Sequence, residues 1–254
     1  METAMRRAGT PKRAEGEKRY LKSELEFFGA TLGQINGVVR SFAREHPGLT
    51  HDELVEMTTE LWSRPNFERR MAAVSLFESY PDLVLQRDLP LLERLVRESK
   101  TWALVDGLAV NVLGGLVVRA PGTSKRLDRW ARDDDFWVRR SALLSQLRPL
   151  RQGAPFETFA RWAEPMLDEK EFFIRKAIGW VLRETGKSRP EEVDAWLAPR
   201  TDRASGVTVR EAVKYLPGPR RKALLAAYKA GQPAKPTPRV RRYARGARAR
   251  SSVG

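Results

Sequence analysis

The sequence predicts an all-helical protein assembled from stacked helix pairs. Three observations carry that expectation. Apolar residues recur at spacings of three and four from Tyr20 almost to Tyr228, proline and glycine cut the chain into short segments, and five of those segments overlay at a nearly constant period. Few stretches show the two-residue alternation of a half-buried strand.

Composition narrows the possible chemistry. The 254 residues are ample for a core, and the chain contains no cysteine, which excludes disulfides, thiolate metal sites and cysteine nucleophiles and points to a reducing interior. His46 and His51 are the only histidines, both within HPGLTHDEL, a pattern of loop followed by helix start. A histidine triad or a multi-histidine metal site is therefore not expected. Net charge is +15 with a pI near 10.5, which favours a polyanionic partner, nucleic acid before an anionic membrane surface. The basic start METAMRRAGTPKRAEGEKR is not followed by an apolar leader core, and no uninterrupted run of about 18 apolar residues occurs later, so a cytoplasmic protein without a membrane span is expected.

In chain order, residues 1–18 read as a flexible basic arm and residues 19–228 as one helical-repeat domain. Breaks fall at Pro47-Gly48, Pro65, Pro81, Pro90, Pro121-Gly122, Pro149, Pro165, Pro190, Pro199 and Pro217-Gly218-Pro219. Between them lie FERRMAAVS from Phe67, WALVDGLAV from Trp102, FWVRRSALL from Phe136, FFIRKAIGW from Phe172 and VTVREAVKY from Val207, whose starts are 35, 34, 36 and 35 residues apart. A period of this size is that of HEAT, armadillo or tetratricopeptide units, each burying its apolar face on the next. Residues 229–254 carry basic and no acidic side chains and little apolar material, so a disordered basic tail is expected there.

The overlay sorts the side chains into rows. Its fourth place holds Arg70, Val105, Arg139, Arg175 and Arg210, and its sixth holds the small residues Ala72, Gly107, Ser141, Ala177 and Ala212, which let neighbouring helices approach closely. The fifth place, Met71, Asp106, Arg140, Lys176 and Glu211, varies most in charge, and one turn later the same face carries Ser75, Val110, Leu144, Trp180 and Tyr215. An acid inside the apolar run TWALVDGLAV is costly unless paired, exposed on a groove or used in chemistry. If the second helix of each pair lines the inner curve of a solenoid, Asp106, Arg140, Lys176 and Trp180 share a concave basic groove, with Trp102 one turn before the acid. Asp106 would then remain ionised among cations, although Asp106 with Arg140 reads equally as a structural ion pair between repeats, and the two tryptophans as packing between helices. Arg69, Arg70, Arg139, Arg175, Lys176 and Arg210 are candidates for a phosphate track, although an arginine at the fourth place serves equally as a contact between repeats.

TWALVDG, DFWVRRSALL and above all EFFIRKAIGWVLRETGKSRPEEV resemble the HEAT-repeat DNA alkylation repair proteins, the AlkD-like alkylpurine DNA glycosylases. The resemblance spans about Tyr20 to Leu216, with YLKSELEFFG similar to the family's opening helix and REAVKYL to its last; Gly33 stands where members often carry proline. It implies that Asp106 is the catalytic aspartate, that Trp102 and Trp180 are the active-site tryptophans, and that Arg140 is the motif arginine, anchoring a phosphate. It further implies hydrolysis of the N-glycosidic bond of cationic purines, 7-methylguanine and 3-methyladenine, in duplex DNA. Asp106 would stabilise the sugar cation and orient water, with no cofactor, no metal, no covalent lysine intermediate and no obligate protein partner, in a monomer associated with the nucleoid. A noncatalytic binder of damaged or branched DNA would use the same basic groove without needing Asp106. A helical-repeat protein scaffold is disfavoured by the charge.

Overall fold

The computed structural model describes residues 1–231. Among them there are helices and one isolated bridge, Glu26 with Asn66, but no named strand. The chain opens with α1 (Glu2–Ala8) and α2 (Pro11–Leu21), followed by α3 (Leu32–Glu45), α4 (His51–Ser63) and α5 (Phe67–Ser79). Next come α6 (Leu89–Glu98), α7 (Trp102–Asp106), α8 (Gly114–Arg119), α9 (Thr123–Leu127), α10 (Phe136–Ser145), α11 (Leu147–Arg151), α12 (Glu157–Met166) and α13 (Phe172–Thr185). The described part ends with α14 (Pro190–Leu197), α15 (Gly206–Ala212) and α16 (Gly218–Ala230). His51 opens α4, capped by Thr50, whose side chain and that of Glu53 form a reciprocal capping box.

The five overlaid segments are α5, α7 with its continuation, α10, α13 and α15. Each packs on the next in succession. Most of these helices start alike. Asn66, Asp135, Glu171 and Ser205 each stand at the N-cap and accept a backbone N–H from the first turn, at 3.1, 2.8, 3.1 and 3.1 Å. The small sixth-place residues Ala72, Ser141, Ala177 and Ala212 are fully buried at the seams. A close approach between two of these segments is at Gly179 in α13, where a Cβ would lie 2.7 Å from the Glu211 Cβ and 3.0 Å from the Thr208 carbonyl oxygen of α15. Polar links also run one repeat apart: Asn111 donates to Glu78 at 2.8 Å, and Lys176 to Glu211 at 2.6 Å.

Between α7 and α8 the helix does not break; it widens. Gly107–Leu113 form a π-helical segment, and the sequence explains why. The buried pairs Leu104-Val105, Leu108-Ala109, Val112-Leu113 and Leu116-Val117 repeat every four residues. On a regular helix of 3.6 residues per turn such a stripe precesses by about 40° per step, roughly 120° over three steps. One residue inserted as a wide turn recovers about 100° of this, so all four pairs stay against the core. The Arg148 guanidinium, donating to the Asn111 carbonyl oxygen at 3.1 Å, holds the far end of the turn.

Two expectations need correction. Residues 1–18 are not a flexible arm: they form α1 and most of α2, Met5 is fully buried, and Glu2 pairs with Arg69. The apolar residues that anchor α1 are too few to register as a periodic pattern. The helix from Trp102 to Arg119 also has a mean hydropathy of 1.5, enough by composition for a membrane span, although Asp106, Asn111 and Arg119 interrupt it; more than half of it is buried inside the fold. Helix α16 runs through Ala230, so the expected tail at 229–254 begins inside a helix, and its remainder from residue 232 lies outside the described residues.

Candidate active site

Trp102 and Asp106 stand one turn apart on α7, and the next repeats bring Arg140 on α10 and Trp180 on α13 to the same place. All four line one cleft of about 420 Å³. Tyr20, Phe172, Phe173, Lys176 and Arg183 complete its walls. Tyr20 comes from the end of α2, is 71% exposed, and meets the Trp102 ring edge-on with centroids 5.9 Å apart. Phe172 at the start of α13 is 53% exposed. The cleft therefore presents indole and phenyl surface around one carboxylate.

That carboxylate is held by a fork. Arg140 Nε donates to Asp106 Oδ1 at 2.8 Å and Nη2 to Oδ2 at 2.9 Å, while Nη1 donates to the Phe173 carbonyl oxygen at 2.6 Å. Parallel hydrogen bonds of this kind fix both the position and the plane of a carboxylate. Arg140 is only 3% exposed, and its guanidinium carbon also lies 5.7 Å from the centre of the Phe173 ring. Its donors are thus turned into the protein, towards the repeats on either side. The geometry departs from the phosphate-anchoring role expected of Arg140: a guanidinium this buried, with its nitrogens engaged, ties Asp106 to α13 instead.

Asp106 is less hydrated than a groove residue was expected to be. Burial pushes its carboxyl above the ordinary aspartate range, and the charge and hydrogen bonds of Arg140 offset this only in part. Each oxygen takes one hydrogen bond from Arg140, so lone pairs remain on the cleft side for a water or a developing positive charge. Among the described residues no group of three or more His, Cys, Asp or Glu side chains could hold a metal ion.

A family model described as DNA alkylation repair enzyme matches residues 1–216. The chain belongs to that family. A solved structure described as a predicted DNA alkylation repair enzyme from Enterococcus faecalis is 21% identical, covers 83% of this chain and 97% of its own, and superposes with a TM-score of 0.76, a likeness of fold. No curated protein matches. Membership of the family gives the chain a role in DNA repair.

In this family member, the arginines expected along a phosphate track divide. Arg70 is buried, donates to the Glu98 carbonyl oxygen at 2.6 Å and lies over Trp62 at 5.1 Å. Arg69 binds the Leu61 and Glu60 carbonyl oxygens. Arg139 forms a fork with Glu169, at 3.0 and 2.8 Å, and reaches the Asp133 and Asp134 carbonyl oxygens, and Arg175 donates to the Glu169 carbonyl oxygen at 2.6 Å. Arg70 and Arg139 join one repeat to the next, whereas Arg69 and Arg175 tie their helices to the stretch of chain just before them. Arg210 is exposed, and Lys176 lines the cleft. Sequence reading does not single out Tyr20, Phe172, Phe173 or Arg183 as site residues. The last three are within reach of it, since Phe173 and Arg183 lie three before and seven after Lys176 on one face of α13 and Phe172 is next to Phe173. Tyr20 has no place in the overlay, because it belongs to an element outside the five repeated segments.

Proposed function

We propose that the cleft hydrolyses the N-glycosidic bond of cationic alkylated purines, 7-methylguanine and 3-methyladenine, in duplex DNA. The observation that carries this reading is a carboxylate fixed by an arginine fork and flanked by two tryptophans on an open cleft. Alkylation at N7 or N3 places a positive charge on the purine. When the bond from C1′ to nitrogen breaks, its electron pair leaves with the base, which becomes neutral, and the positive charge passes to the deoxyribose.

Asp106 stabilises that sugar cation at short range, where partial burial weakens screening by water. The opposite charge of Arg140 dampens its field farther away. A water directed by the free lone pairs then adds at C1′ and yields its proton through the carboxylate to solvent, leaving an abasic sugar. Trp102 and Trp180 present ring faces to the same positive charge. A neutral base gains little from such a site, which offers no acid to protonate it.

The same reading makes the enzyme monofunctional. Lys176 is the one lysine in the cleft lining, and its ion pair with Glu211 at 2.6 Å ties up the amine that an imine intermediate would need. It also places the protein on nucleoid DNA in the cytoplasm, acting as a monomer without metal or cofactor.

The test is release of 7-methylguanine from duplex DNA by wild type and Asp106→Asn in single turnover. Asparagine keeps the shape and removes the charge, and the expected loss is roughly 100-fold or more, with the DNA strand left uncut. Equal release by both proteins would remove the role given to the acid. A second reading, binding of damaged or branched DNA without excision, draws on the engagement of both Asp106 oxygens by Arg140, as in a purely structural tie. Binding by wild type with no release of base would establish it.

A further inference from the structure

Beyond the cleft, along α13 and α15, five cations surround two buried carboxylates. Glu211 on α15 accepts from Lys176 at 2.6 Å, Arg183 at 2.5 Å and Lys214 at 2.8 Å. Glu184 at the end of α13 accepts from Arg151 at 2.9 Å, Lys187 at 2.7 Å and Arg183 at 3.3 Å. The two clusters thus share Arg183. The carboxylate side chains are 8–9% exposed, whereas those of Lys176, Lys214, Lys187 and Arg151 keep between 39% and 55% of their surface. The acids therefore sit beneath the cations. Lys187 also lies 4.7 Å from the centre of the exposed Tyr215 ring.

Two of these cations, Lys176 and Arg183, line the cleft two turns apart on α13, one turn to either side of Trp180. Long cationic side chains on a surface ordinarily lose considerable rotamer freedom when they grip an anion. Here the buried acids have already fixed the amines and guanidinium, leaving the outward hydrogens available. Burial by itself raises the carboxyl of Glu211, but its three cations hold it at about 2, so it stays charged throughout the neutral range.

We infer that Glu211 and Glu184 are positioning residues for a phosphodiester backbone: they hold Lys176, Arg183, Lys214, Lys187 and Arg151 in place as a preformed phosphate seat beside the cleft. The inference rests on the reading of the cleft as a DNA site, and it names contacts outside the arginine rows of the repeats. It also reverses a simple expectation from charge. Removing an acid from a basic protein raises its net charge and, by charge alone, tightens binding to DNA. If the acids position the cations, removing one weakens binding instead.

The experiment measures the affinity of the full chain for undamaged duplex DNA across a salt series, for wild type, Glu211→Gln, Lys176→Met and the double variant, with thermal unfolding of each. Glu211→Gln is expected to bind roughly fivefold to tenfold more weakly, with a salt slope smaller by about 0.9 for every phosphate that is no longer neutralised. Lys176→Met is expected to cost much less in the Glu211→Gln background than in wild type, the signature of coupled residues. Glu184→Gln, whose closer partners Arg151 and Lys187 lie outside the cleft lining, serves as a second variant and is expected to reduce the slope likewise. Tighter or unchanged binding by the glutamine variants, or additive effects of Glu211→Gln and Lys176→Met, would overturn the positioning role while leaving the glycosylase reading intact. Because the duplex is undamaged, failure of excision does not bear on this result; a wild type without affinity for duplex DNA overturns both.

Discussion

The pair of Asp106 and Arg140 sets how the proposed chemistry responds to pH. Burial raises the carboxyl, and Arg140 opposes that rise. The anion is the working form, so excision is expected to increase with pH through a limb lying above the ordinary aspartate range. Arg140→Lys keeps a charge but loses the fork; it is expected to slow excision and move the limb to still higher pH. Arg140→Met leaves the carboxylate unpaired, adds a loss of stability on the order of 3 kcal/mol, and moves the limb furthest. Single-turnover rates from acid to neutral pH, with urea unfolding, check all three. A limb at the same pH in each variant would show that Arg140 does not govern the acid. The sign for folding is opposite to that for activity. A carboxyl raised in the folded state binds its proton more tightly there than in the unfolded chain, so Asp106 favours folding on the acid side and opposes it as pH climbs past its raised value. The four cleft residues were legible in the sequence because the overlay puts Asp106 and Arg140 at one place with Trp102 one turn before it and Trp180 one turn after it, and because the family resemblance names all four. The pairing of Arg140 with Asp106 was one of two readings the row left open, the other being a phosphate contact: a row shows which residues are neighbours, not whether an arginine turns towards solvent or towards the next repeat.

At the scale of elements, the wide turn at Gly107–Leu113 is the feature that periodicity could have revealed. The strict spacing of four in its buried pairs was visible, but the reading of threes and fours passed over it because a short window tolerates either. Deleting Asn111 would convert that spacing to four, three, four, which suits a regular helix. The expected outcome is a folded protein with unchanged far-ultraviolet dichroism, destabilised by about 1–2 kcal/mol through loss of the links from Asn111 to Glu78 and Arg148. Deleting Ala177 from α13, which is regular and fully buried there, offers a contrast. It rotates half of the buried face away and is expected to abolish cooperative unfolding. Equal damage from the two deletions, in urea melts, would refute the explanation of the wide turn.

For the whole molecule, charge is arranged in layers. Among the described residues many acids lie beneath or between arginines and lysines, so cations are presented outward while the joints between repeats are held by ion pairs. Several of these carboxyls are held below their ordinary values by their cations against the pull of burial, among them Glu211, Glu184 and Glu164, and Asp133 is lowered chiefly by Arg97. A carboxyl lowered in the folded state contributes stability that is complete above its unfolded value and disappears as pH falls through the folded one. For Glu211 that window runs from about 4.5 down to about 2. The melting temperature is expected to fall through this window, and less steeply in Glu211→Gln; identical slopes would remove Glu211 from the account. The repeat period made this architecture readable from sequence, since stacking at fixed spacing leaves few alternatives. The N-terminal helices were not readable, because their anchoring depends on Met5 and on Glu2 reaching Arg69 across the first repeat.

The cleft gathers side chains from Tyr20 to Arg183, and its backing acids extend to Glu211. Most of the chain must therefore have left the ribosome before the pocket exists at all. Nascent or prematurely terminated products can build the early repeats, which need only their immediate neighbours, yet have no complete wall opposite Trp102. Competence to act on a chromosome would arise late in synthesis, as a property of the finished polypeptide.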